Sequence, residues 1–64
     1  MLTILVLLQN ADYQLQNNGL VSIAKVQLHN AVVLLEKGYS LYDDFDALIE
    51  KYGDAESVPE KSDD

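Results

Sequence analysis

The sequence predicts an all-α fold, a small helical hairpin or three-helix unit. Two apolar seams and the punctuation between them carry that prediction. Val21, Ala24, Leu28, Ala31 and Leu35 are spaced by 3, 4, 3 and 4 residues, which stacks them on one face of an α-helix. Leu41, Phe45, Leu48 and Tyr52 follow spacings of 4, 3 and 4. Between the seams, "EKGYS" reads as a helix stop followed at once by a helix start.

The central helix is expected over about 20–37. Ile23, Val32 and Leu34 widen its stripe, and Val26 and Val33 add apolar surface outside it. A helix this apolar must be covered on more than one side. Lys37 suits the negative end of the helix dipole, and Gly38 suits the left-handed cap position. Tyr39 is expected to fold back on Leu34 or Leu35. The last helix is expected over about 41–52. Ser40 is a good N-cap, and Asp43 three residues on completes a capping-box-like pair. Asp43 and Asp44 also suit the positive end of the dipole, and Gly53 stops the helix. A link of about three residues forces an antiparallel or sharply angled pair.

The N-terminal stretch admits two readings. Ile4, Leu8, Ala11 and Leu15 fit a helix over about 3–16 capped by Thr3, with "NNG" as its stop. Alternatively, Asn18-Gly19 is a type I′ hairpin signal, with Tyr13, Leu15, Val21 and Ile23 alternating around it. "TILVLL" also suits a strand. Gln9, Gln14 and Gln16 are poor strand formers, and the seam that begins at Val21 argues for helix after the turn.

These segments make one domain over 1–53. From Asp54, "DAESVPEKSDD" offers charges, serines and Pro59 but little to bury, so 54–64 is expected to be an acidic disordered tail. A chain of 64 residues is close to the lower limit for a self-sufficient core; near this size only about 60% of the unfolded surface is buried. Such chains need a staple. There are no cysteines and one histidine, His29, so disulfides are excluded and a structural zinc site is not expected. That leaves self-association or efficient helix packing, and homodimerisation that completes a helical bundle is the expected remedy, with Val21, Ala24, Leu28, Ala31 and Leu35 as the self-association seam.

Charge is unevenly placed. The net charge is −7, there is no arginine, and residues 1–35 hold only Asp12 and Lys25. Direct nucleic-acid binding needs clustered Lys or Arg, and an anionic membrane surface needs the same. Neither partner is expected. The apolar run Ile4–Leu8 is too short for a membrane span and lacks a basic leader, so a cytoplasmic protein is expected.

Asp43, Asp46, Glu50 and Asp54 are spaced by 3, 4 and 4 residues, which makes them candidates for an acidic face that docks on a basic protein. The plainer reading is the polar side of an amphipathic helix. No calcium-loop pattern and no Glu-x-x-His pair is present, so no metal or other cofactor is expected. His29 has no nucleophile and acid arranged around it by sequence; it reads as a boundary or interface histidine. Gln9, Asn10, Gln14, Gln16, Asn17 and Asn18 read as a solvated strip before a turn. The expectation is a non-enzymatic interaction module, a regulator or adaptor working through a helical surface. The alternative is an acidic inhibitor that imitates nucleic acid and occupies the site of a basic protein, as anti-defence proteins and antitoxins do.

Overall fold

The computed structural model describes residues 1–61. The chain is all-α. Helix α1 spans Ile4–Tyr13 and runs on into a π-helical turn, Gln14–Asn18. Helix α2 spans Val21–Glu36, α3 spans Phe45–Tyr52, and a 3₁₀ turn covers Ala55–Ser57. The hairpin alternative for the N-terminal stretch is not adopted. Thr3 caps α1, its hydroxyl accepting the Val6 N–H at 3.2 Å. Gly19 ends the π turn in the left-handed region, at φ 63°, so "NNG" closes a helix rather than a β-turn.

α1 and α2 pack side by side as an antiparallel hairpin. Ala11 and Ala24 are fully buried, and small side chains let two helix backbones approach closely. The larger core sits at the other end of the hairpin. There Ile4 and Leu7 of α1 meet Ala31 and Leu34 of α2, together with Phe45, Ala55 and Val58. The molecule is elongated, 41 × 19 × 19 Å.

The end of α2 forms the cap expected of "EKGYS". Gly38 N–H donates to the Leu35 carbonyl and Tyr39 N–H to the Leu34 carbonyl, each at 3.1 Å, which is the Schellman pattern. Gly38 stands at φ 101°, a conformation open to glycine. Tyr39 packs against the core cluster that contains Leu34.

Two expectations are corrected. The last helix begins at Phe45 rather than near Leu41, with Asp44 as its N-cap; the Asp44 carboxylate accepts the Ala47 N–H at 3.1 Å. Ser40 and Asp43 do pair, the Asp43 carboxylate accepting the Ser40 N–H at 2.6 Å, but they close a turn. The carbonyls of Leu41 and Asp43 are taken by the first amides of α1: Leu5 N–H donates to Leu41 at 2.8 Å and Ile4 N–H to Asp43 at 3.2 Å. The Phe45 N–H, which a helix running through Leu41 would direct to the Leu41 carbonyl, donates instead to the Leu2 carbonyl at 2.7 Å. The orphan donors at the start of α1 are thus satisfied by a distant segment.

The second correction concerns the tail. Ala55 and Val58 have 0% and 1% exposure. Asp54 caps their turn, accepting the Glu56 and Ser57 N–H groups. Lys61 N–H then donates to the Lys37 carbonyl at 2.8 Å, which satisfies an acceptor at the end of α2. Residues 54–61 are therefore packed chain. The remainder of the expected tail, 62–64, lies outside the described residues.

Candidate interaction surface

The core is small for what surrounds it. Only Ile4, Leu34 and Val58 are large side chains with essentially no exposure. Ten large apolar residues among those described are 40% exposed or more. Six of these, Tyr13, Leu15, Leu20, Val21, Ile23 and Val26, sit in the half of the hairpin that α3 and the C-terminal segment leave uncovered. Val26 is the most exposed residue of the six, at 60%.

The expected self-association seam is divided by the fold. Ala24 and Ala31 have no accessible surface and face α1. Leu28 and Leu35 are half-buried, and Val21 is 54% exposed. Val32, at 47%, lies four residues after Leu28 and continues the accessible side of the seam. The seam spacing alone could not separate these two uses, since both the hairpin contact and an outer contact fit a 3–4 repeat.

The acidic residues are also divided. Asp43 holds the Ser40 N–H and lies 3.8 Å from the Lys61 ammonium. Asp54 accepts three bonds, from Glu56 N–H at 3.0 Å, Ser57 N–H at 3.1 Å and the Ser57 hydroxyl at 3.2 Å. Asp44, outside the expected set, is the α3 cap. Asp46 and Glu50 are exposed on α3 and make no side-chain hydrogen bond or ion pair within the described residues. Two of the four candidate acids thus have local structural roles.

His29 pairs with Glu56, Nε2 to Oε1 at 2.7 Å, and tethers the C-terminal segment to α2. The amide strip bonds along its own helix: Gln14 to Asn10 at 3.2 Å, Gln16 to Asp12 at 2.7 Å and Asn18 to Gln14 at 2.8 Å. Each pair is four residues apart, the spacing at which helix side chains meet. These bonds support the exposed end of α1 as it widens into the π turn.

Among the described residues there is no enclosed pocket and no group of three or more His, Cys, Asp or Glu able to hold a metal ion. No helix among them is long and apolar enough to cross a membrane. Comparisons with known protein families, curated proteins and solved structures find no match.

Proposed function

We propose that this chain is a small non-enzymatic interaction module, a regulator or adaptor that acts in the cytoplasm through the exposed apolar surface of its helical hairpin. It works as a homodimer whose two hairpins complete a helical bundle. One observation carries this reading: eight large apolar residues of the hairpin are 40% exposed or more, against three in the described chain that are essentially inaccessible. Contiguous apolar patches of more than a few hundred Å² mark interfaces, and a symmetric dimer is the commonest way to cover one. Sedimentation velocity across a concentration series tests it. A dimer is expected at micromolar chain; a monomer throughout contradicts the homodimer.

A second reading is supported by Asp46 and Glu50, the two exposed acids without a local role. An acidic inhibitor would present them to the nucleic-acid site of a basic protein. Salt separates the readings. Apolar association is little changed by ionic strength, whereas an acidic grip weakens steeply with it. Asp46→Lys with Glu50→Lys removes the grip and leaves the dimer intact.

A further inference from the structure

We propose that a second copy of this chain lies along the side of α2 marked by Val21, Leu28, Val32 and Leu35, antiparallel to it and centred on Leu28. This rests on the homodimer reading and adds its face and its direction.

The face follows from helix geometry. Ala24 and Ala31 point at α1. Val21, Leu28 and Leu35 recur every seven residues, so they keep nearly the same angle, drifting about 20° per step. They lie to one side of the Ala24–Ala31 line, with Val32 beside them. Leu8 lies in the same rotational sense from the Ile4–Ala11 line of α1, with Leu15 beyond it in the π turn. In antiparallel helices that face each other, positions of the same sense share a face. One side of the hairpin is therefore an apolar strip drawn from both helices, with Asp12 and Lys25 at its edges. Ile23 and Val26 fall on the other side.

Size and symmetry identify the occupant. α2 has 16 residues and runs about 24 Å at 1.5 Å per residue. With α1 beside it at about 8–10 Å between axes and a helix diameter of about 10 Å, the face has a footprint of about 450 Å², the scale of a small interface. That is roughly a tenth of the 4323 Å² of accessible surface. The core is too small to make the fold robust without cover, and a cover needed for folding must be present wherever the chain is. A second copy meets that condition. A two-fold contact also needs a self-complementary patch. In an antiparallel two-fold contact centred on Leu28, Leu28 meets Leu28 and Val21 meets Leu35, with Val32 flanking the contact.

Charge sets the direction. Ten of the eleven acids and three of the four lysines lie from Glu36 onward, so the whole net charge of −7 resides there. Packed in parallel with these ends together, two copies repel; packed antiparallel, they separate the charged ends well beyond the screening length of about 8 Å.

Two measurements on the full chain test this. In sedimentation equilibrium, Val21→Glu and Val32→Glu are each expected to weaken association at least tenfold, and Val26→Glu, on the opposite side, to leave it unchanged. The reverse pattern overturns the face. The chain has no cysteine, so Asn17→Cys takes a single spin label at the hairpin tip. The two labels are expected more than about 20 Å apart, since the seven residues from Val21 to Leu28 on each copy account for about 21 Å and Asn17 lies beyond them in the turn. A separation within about 15 Å overturns the direction while the dimer stands. A wild-type chain that stays monomeric overturns the homodimer itself.

Discussion

The Leu5 amide donates to the Leu41 carbonyl at 2.8 Å, joining the first turn of α1 to a segment that is 36 residues away in sequence. The reciprocal bond runs from the Phe45 N–H to the Leu2 carbonyl at 2.7 Å. The start of α1 and the start of α3 are thus one hydrogen-bonded unit. This explains why 41–44 turns without forming a helix, and it makes the acids of this region unequal.

That inequality is measurable. Asp44→Ala removes the α3 cap and is expected to cost about 1 kcal/mol, the usual loss at an N-cap. Asp46→Ala removes an exposed carboxylate and is expected to change stability by less than about 0.5 kcal/mol. Urea denaturation of the two variants checks the order. Equal losses would contradict the assignment of Asp44 as the cap.

Val58 offers a second check. It is 1% exposed and belongs to the main cluster. Val58→Ala is expected to cost about 2 kcal/mol, and Val58→Asp considerably more because an unpaired charge is then buried. Thermal melts read both. Wild-type stability in Val58→Asp would mean that the C-terminal segment does not pack.

The His29–Glu56 pair holds the same segment but is expected to matter less. Both side chains are more exposed than buried, and exposed ion pairs contribute about 0–1 kcal/mol. His29→Ala should therefore fall well below Val58→Asp in its effect on the same melts.

Gly38 is expected to resist replacement. At φ 101° a side chain strains the backbone, although the space beside it is ordinary; the nearest heavy atom to an added Cβ is 3.5 Å away. Gly38→Ala is expected to lose more than about 1 kcal/mol, measured by denaturant midpoint.

Much of this architecture was legible in local pattern. The 21–35 seam, the Thr3 cap and the "EKGYS" stop each depend on local spacing and each is present, whereas Leu41 of the second seam lies ahead of α3. What escaped was tertiary. The capture of the Leu41 and Asp43 carbonyls by α1 leaves no local trace, so Ser40 reads as a cap when it closes a turn. Ala55 and Val58 are two modest apolar residues in a charged context, and nothing nearby marks them as core. The acidic set read as one face because helical spacing was carried back to Asp43 and forward to Asp54, beyond the ends of α3.

We propose that the side of the hairpin marked by Val21, Leu28 and Val32 is covered by a second copy of the chain. Sedimentation equilibrium of wild-type chain and of Val32→Glu over a micromolar range tests it most directly. Wild type is expected to fit a dimer, and Val32→Glu to shift toward monomer by at least tenfold in dissociation constant. A wild-type chain at monomer mass across the range would contradict it.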